Sequence, residues 1–361
     1  MTDEAASSTA PTAPTASSAP ASPTTARWTW RKRLLAGCFS ICLIAGAAIV
    51  LGPRVHLDQS VRPVALPDSD LGGFIAAREA KDPTIVPGAE ATIMWAGEKD
   101  AVTDVAFVYF HGFVACRQEI SPVMETLAAD THSNVYFVRL AGHGHTMPDA
   151  SDAALRTCTG NDWLNDAVEA LAIGRRIGKK VVLVGTSTGA LFPLWLALRN
   201  GGADATGIAA IVALSPNFGP ADNRAEMLLW PWGLQIAYAV SGSHNGFRTI
   251  SDEHARYWTH RYPVEVLPHM MSMVRLARQL PLQQLKTPTL VLYTTHDRVC
   301  NWQLMVDNAA RIPESMREVE AFDARHHVPA GRILGPESTQ PLIDRIRRFL
   351  DSRGVTAKAT N

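Results

Sequence analysis

A serine between two glycines lies directly behind a short apolar run. Residues 185–189, which we call the elbow, read Gly-Thr-Ser-Thr-Gly and follow Val-Val-Leu-Val at 181–184. A sharp turn from a strand into a helix would hold Ser187 with its hydroxyl exposed. Gly185 and Gly189 would give that turn the space that a side chain would otherwise fill. The sequence therefore predicts a nucleophilic serine at position 187.

A serine hydroxyl needs a base, a carboxylate that orients the base, and donors for the oxyanion formed on attack. Asp297 follows the apolar run 289–293, and His326 and His327 follow the run 319–322. Adjacent side chains leave the backbone in different directions, so only one of these histidines can contact both the serine and the carboxylate. We expect Asp297 to be the carboxylate and one of the two histidines to be the base.

The donors for the oxyanion are predicted at a second glycine turn. The apolar run 105–110 leads into His111-Gly112-Phe113, which we call the oxyanion turn. The backbone N–H groups of Phe113 and of Thr188, the residue after the serine, are expected to form the oxyanion hole.

The chain resembles the α/β-hydrolase superfamily, in particular the branch of monoacylglycerol lipases, lysophospholipases and carboxylesterases. The resemblance implies an α/β-hydrolase fold, a mostly parallel sheet covered by helices on both faces, with an inserted cap. It also favours His327 over His326, because the base in related enzymes often precedes a small apolar residue that enters a helix. It rests on the elbow, on the chain order Ser187, Asp297, His327, and on the motifs at 111–113, 142–144, 296–297 and 327–328.

Short apolar runs also alternate with stretches of helical spacing, a pattern that itself indicates a parallel sheet between two layers of helices. Ligands of such sheets bind at the carboxyl ends of the strands. The predicted strands are residues 91–95, 105–110, 135–139, 181–184, 208–214, 289–293 and 319–322.

The segment 216–285 interrupts this alternation and is expected to be a cap over Ser187. Its large apolar side chains would line an acyl-binding pocket, or they would only pack the cap onto the body. The candidates for the pocket are Met227, Trp230, Trp232, Trp258 and Met270.

The N-terminal region has the composition of a tail followed by a membrane anchor. Residues 1–26 are almost wholly Ala, Ser, Thr and Pro, which is typical of a disordered tail. Four basic residues at 27–33 precede the uncharged segment 34–51. An uncharged segment with basic residues concentrated before it predicts a single-pass anchor. The tail would lie in the cytoplasm and the hydrolase domain outside it, in the periplasm if the protein is bacterial. A cleaved signal peptide, a lipoprotein site at Cys38 and a buried core helix are the alternatives.

Charge and cysteine content exclude several classes of function. The 361 residues include 34 basic and 34 acidic ones, so a nucleic-acid partner is not expected. No cysteine spacing fits a zinc site, and we expect neither a metal nor a cofactor. Cys116 and Cys158 form either a disulfide or two free thiols, and the sequence does not specify the oligomeric state.

The expected divisions of the chain are 1–26 tail, 27–52 anchor, 53–102 linker and first strands, 103–215 core, 216–285 cap, 286–353 core and 354–361 tail.

These observations predict a serine hydrolase that cleaves carboxylic esters, most simply lipid-like ones, through an acyl-enzyme on Ser187. Its partners would be a small-molecule or lipid ester and the membrane. An acyltransferase that uses the same acyl-enzyme and a non-catalytic binding protein of the same fold are the alternatives.

Overall fold

The computed structural model describes residue 10, residues 24–145 and residues 148–356. Residues 1–9 and 11–23 of the predicted N-terminal tail lie outside the described residues, as do residues 357–361 of the predicted C-terminal tail. The chain divides into two compact units, Met1–Gly52 and Pro53–Asn361.

The first unit contains one long helix, α1, at Thr24–Leu51. Within the described residues, its part Thr29–Leu51 is long and apolar enough to cross a membrane. A signal sequence near an N-terminus can have the same length and composition.

The second unit contains nine described strands and ten described helices, together with short 3-10 turns such as Arg117–Glu119, Ser187–Ala190 and Asn223–Leu229. The strands are β1 Thr92–Met94, β2 Thr103–Phe110, β3 Asn134–Phe137, β4 Gly178–Thr186, β5 Ile208–Leu214, β6 His244–Gly246, β7 Arg261–Pro263, β8 Thr289–Tyr293 and β9 Arg317–Ala321. The helices are α2 Leu71–Glu79, α3 Val123–Asp130, α4 Pro148–Thr157, α5 Gly160–Ile177, α6 Leu191–Leu198, α7 Gly233–Ser241, α8 Asp252–Tyr257, α9 Leu267–Gln279, α10 Trp302–Ala309 and α11 Thr339–Ser352.

Seven strands form one sheet in the order β1-β3-β2-β4-β5-β8-β9, and only the β1–β3 pair is antiparallel. These are the seven predicted strands, with ends that differ from the prediction by at most three residues. Because the parallel strands point the same way, their carboxyl ends meet at one edge of the sheet. The residues after β2, β4, β8 and β9 are therefore brought close together.

Alternate residues of the central strands pack against different helices. Phe107 of β2 and Val182 of β4 belong to the apolar cluster that includes α3 and α11. Val108 and Leu183, one residue further on, belong to the cluster that includes α5, α6 and α9. Successive side chains of a strand point to opposite faces of the sheet. Because helices cover both faces here, both sets are buried, which explains the continuous apolar runs. The predicted sheet with helices on both faces is confirmed.

A long insertion between β5 and β8 contains α7, α8, α9 and the antiparallel pair β6–β7. Helix α9 is buried against the body, since Met271, Met273 and Val274 belong to the same apolar cluster as α5 and α6. Helix α7 is more exposed, with Gly233 and Ala237 as its buried residues. The insertion thus has a side that is fixed to the body and a side that faces solvent.

Candidate active site

Ser187 lies at the sharp turn between β4 and α6. Its backbone has a φ of 57°, a left-handed conformation that is strained for a residue with a side chain. A Cβ added to Gly185 would lie 2.4 Å from the carbonyl oxygen of Gly189. A Cβ added to Gly189 would lie 2.3 Å from the carbonyl oxygen of Phe110. Both positions therefore require glycine, as the elbow motif predicts.

Asp297 lies in the turn after β8, and its carboxylate is fixed by three hydrogen bonds. Its Oδ1 accepts the backbone N–H groups of Val299 and Cys300 at 2.8 and 2.9 Å. Its Oδ2 lies 2.6 Å from Nδ1 of His327. When the ring is neutral, this bond keeps its proton on Nδ1 and leaves Nε2 of His327 as a hydrogen-bond acceptor, which is the form that a general base needs.

Another aspartate and another histidine lie close to His327 in the sequence but do not join this pair. Asp323 is exposed, and so is His326, which contributes to the wall of the cavity described below. Asp297 thus contacts the second of the two adjacent histidines.

The surroundings of His327 favour its charged form. Burial disfavours the imidazolium, but the Cys300 sulfur and the Asp297 carboxylate outweigh this effect and raise the pKa of His327 above its usual value. Nε2 of His327 lies 4.0 Å from Sγ of Cys300, and no hydrogen bond of the Ser187 hydroxyl is found among the described residues. Bonds between nucleophile and base often form only when substrate binds. Proton transfer between these two groups would therefore require Nε2 and the hydroxyl to approach each other in such a complex.

The oxyanion turn is braced by the side chain of its first residue, His111. Nδ1 of His111 lies 2.8 Å from the carbonyl oxygen of Gly112, and Nε2 accepts the N–H of Leu140 at 3.1 Å. Burial, assisted by the neighbouring His143, lowers the pKa of His111 to about 3, so the ring is neutral. His111 therefore braces the turn, while the N–H of Phe113 donates no hydrogen bond to another described residue.

The Gly-His-Gly motif at 142–144 packs behind this turn. The ring of His143 lies 5.1 Å from that of His111 and 5.8 Å from that of Trp163. Its Nδ1 lies 3.0 Å from the carbonyl oxygen of Ala141. This histidine is thus part of the aromatic packing that supports Phe113.

Ser187, His327 and Phe113 share the wall of one cavity of about 730 Å³. Thr188 is not in the wall and would contribute only its backbone N–H. The insertion supplies much of the remaining lining, including three of the predicted pocket residues, Met227, Trp258 and Met270. The other two, Trp230 and Trp232, lie outside the lining and are 55% and 42% exposed.

The family is decided by a comparison with protein-family models. A model described as the alpha/beta hydrolase family matches residues 107–332, more than half of the chain. The chain belongs to the alpha/beta hydrolase family. The matched region contains the elbow, the oxyanion turn, Asp297 and His327, and the predicted family is confirmed.

Several solved structures share the fold of this alpha/beta hydrolase at low sequence identity. The metagenome-derived lipolytic enzymes described as LipS and LipT include one that is 20% identical, with a TM-score of 0.57 over 74% of this chain and 99% of the other. A soluble variant of the Saccharomyces cerevisiae monoglyceride lipase is 11% identical, with a TM-score of 0.55 over 73% and 92%. The Paleococcus ferrophilus monoacylglycerol lipase is 15% identical, with a TM-score of 0.50 over 73% and 99%. No curated protein sequence matches the chain.

Among the polar residues of the cavity wall of this alpha/beta hydrolase that were not predicted, two contact the elbow or the oxyanion turn. Asn217 follows β5, its N–H donates to the Ser187 carbonyl oxygen at 3.1 Å, and its Nδ2 donates to Oγ1 of Thr188 at 3.1 Å. Its position after a central strand is the feature that could have identified it. Glu119 belongs to a 3-10 turn that matches no motif, yet it is buried beside the oxyanion turn.

Proposed function

We propose that this alpha/beta hydrolase cleaves carboxylic esters through a covalent acyl-enzyme on Ser187. One observation carries the proposal. The serine of the elbow, a histidine already bonded to a buried carboxylate, and a glycine turn with an unbonded N–H all adjoin one cavity. Nucleophile, base and oxyanion donors are the groups that acyl transfer needs.

In the proposed mechanism, Nε2 of His327 takes the proton of the Ser187 hydroxyl as Oγ attacks the ester carbonyl carbon. The N–H groups of Phe113 and Thr188 stabilise the oxyanion. The protonated Nε2 then passes the proton to the leaving alcohol oxygen, and the acyl group stays on Oγ. Water repeats the sequence and releases the acid. Asp297 keeps Nδ1 protonated and stabilises the imidazolium formed in each step.

The wall of the cavity favours an acyl chain. Its volume of about 730 Å³ lies in the range of small-molecule sites. Apolar side chains from the oxyanion turn and the insertion dominate it, among them Phe113, Leu228, Trp258, Leu267 and Met270. The similar lipolytic and monoacylglycerol lipase structures favour the same substrate class. We infer that the substrates are lipid-like esters.

A graded series of 4-nitrophenyl esters tests this inference. From acetate to octanoate we expect kcat/KM to rise about 2- to 4-fold for each methylene that enters the cavity, because each buried methylene contributes about 0.8 kcal/mol. Ala237 adjoins the cavity from α7, so Ala237→Trp should reduce octanoate hydrolysis far more than acetate hydrolysis. A kcat/KM that is flat or falls with chain length would contradict an acyl pocket.

We also propose that residues 34–51, within the apolar helix Thr29–Leu51, are an uncleaved anchor that leaves the second unit outside the cytoplasm. The basic residues before the apolar segment support this orientation. Reporters fused after Val102 should be active only if they function outside the cytoplasm, and the mature protein should retain the mass of the apolar helix. A mature N-terminus near Ile49 would instead indicate a signal peptide.

A further inference from the structure

The buried carboxyl group of Glu119 connects three parts of the site. Its Oε1 accepts the N–H of Gly112 at 2.7 Å and the hydroxyl of Tyr109 at 2.7 Å. The Tyr109 oxygen also lies 2.8 Å from Oγ1 of Thr186, the residue before Ser187. One carboxyl oxygen thus ties the oxyanion turn to the end of β2 and, through Tyr109, to the elbow.

The second oxygen of Glu119 lies near the nucleophile. A Cβ added to Gly112 would lie 3.1 Å from Oε2 of Glu119 and 3.3 Å from Cβ of Ser187. The carboxyl group and the serine therefore face each other across a glycine that has no side chain to separate them. Glu119 also belongs to the cavity wall, although only 1% of the residue is exposed.

A negative charge at this position would oppose the reaction. The oxyanion of the tetrahedral intermediate forms beside the same turn, and two like charges repel strongly in a site that excludes water. A neutral carboxylic acid avoids this repulsion and still offers Oε1 as an acceptor to both donors. Because Oε1 already accepts two hydrogen bonds, the proton would belong on Oε2.

The charged and titratable neighbours of Glu119 determine whether its carboxyl group is neutral or ionised. Burial raises the pKa of Glu119 to about 7, while the hydrogen bonds from Tyr109 and Gly112 and the charge of His327 act in the opposite direction. Arg117, in the same turn, is paired with Glu90. Burial also raises the pKa of Cys116, which precedes the turn, to about 12. The protonation of Glu119 is therefore coupled to the charge of His327.

We propose that Glu119 is a positioning residue that holds the oxyanion turn against the elbow and acts as a neutral carboxylic acid during acylation. The proposal rests on the proposed ester hydrolysis and adds a second titrating group to it. In the wild type, activity should rise with pH as His327 loses its proton and fall again as Glu119 loses its own. The resulting profile of kcat/KM is bell-shaped.

Two substitutions of the full-length protein separate the positioning role from the charge. Glu119→Gln is neutral at every pH and keeps a carbonyl oxygen for Gly112 and Tyr109. It should retain kcat at neutral pH within about 3-fold and lose the alkaline decline, so that at high pH it exceeds the wild type by about 10- to 100-fold. Glu119→Leu removes the acceptor, and kcat should fall about 100-fold with little change in KM.

Glu125→Gln, a carboxyl-to-amide change in α3 outside the cavity wall, is the matched control and should keep the wild-type profile. An alkaline decline in Glu119→Gln that parallels the wild type would overturn the neutral-acid role. Wild-type kcat in Glu119→Leu would overturn positioning, and if that variant does not fold, Glu119→Gln still decides. Wild-type protein without Ser187-dependent hydrolysis would instead contradict the proposed function, so the two failures are distinguishable.

Discussion

Ser187→Ala should hydrolyse esters about 10⁴- to 10⁶-fold more slowly than the wild type while remaining folded. No other group in the proposed mechanism can form the acyl-enzyme, so only binding and the oxyanion hole would still accelerate attack by water. The measurement is kcat with 4-nitrophenyl butyrate, together with the melting temperature. The substitution removes one oxygen from a residue that is already nearly buried, so the melting temperature should change little.

Ser215→Ala is a matched control for this change. Ser215 is a fully buried serine at the carboxyl end of the neighbouring strand β5, and its hydroxyl has no hydrogen-bond partner among the described residues. Like Ser187 it has a positive φ, of 45°. Its loss should leave kcat within about 2-fold of the wild type, because removing an unpaired buried hydroxyl costs little. If Ser187→Ala retained a rate close to that of Ser215→Ala and the wild type, Ser187 would be excluded as the nucleophile.

His327→Ala should reduce kcat by about as much as Ser187→Ala, whereas His326→Ala should retain most of the activity. Only His327 contacts Asp297, so only its removal leaves the Ser187 hydroxyl without a base. The two residues are adjacent and chemically identical, which makes them a matched pair. If His326→Ala were the crippled variant, the base would lie one residue upstream and the observed Asp297 contact would not be the productive one.

The pH dependence provides a second test of His327 as the base. The base works only when neutral, so kcat/KM should increase as pH rises through its pKa. Because the Cys300 sulfur and the Asp297 carboxylate raise that pKa despite burial, the acid limb should lie above the value of an ordinary histidine, about 6.5. An acid limb near pH 4 would instead indicate that a carboxylate is the titrating base.

Much of the fold could be predicted because parallel strands buried on both faces have an unmistakable composition. Runs such as 208–214 and 289–293 coincide with β5 and β8 to the residue. The elbow was predictable because its two glycines flank the serine in the sequence, although only Gly185 is imposed by residues close in sequence and Gly189 is imposed by the backbone of Phe110 and His111. Strand composition and a serine between two glycines can both be recognised in short stretches of sequence, whichever contacts impose them.

The parts that were not predicted depend on how distant segments meet. Apolar composition identified the insertion as a possible pocket wall, but it could not tell that Trp258 faces the cavity while Trp230 and Trp232 face away from it. The side on which a tryptophan lies is set by the packing of the insertion on the body. The buried carboxyl of Glu119 was missed for the same reason. An acidic residue in a short turn is usually solvated, and only contacts with Tyr109 and Gly112 show otherwise.

A fluorophosphonate probe tests the central claim most directly, because it phosphonylates a serine only where a base and an oxyanion hole activate that serine. The wild-type protein should gain one adduct, and peptide mass analysis should place it on Ser187. Ser187→Ala should gain none, and His327→Ala should react far more slowly than His326→Ala. An adduct on another serine, or ester hydrolysis by a protein whose Ser187 never reacts, would contradict the acyl-enzyme mechanism.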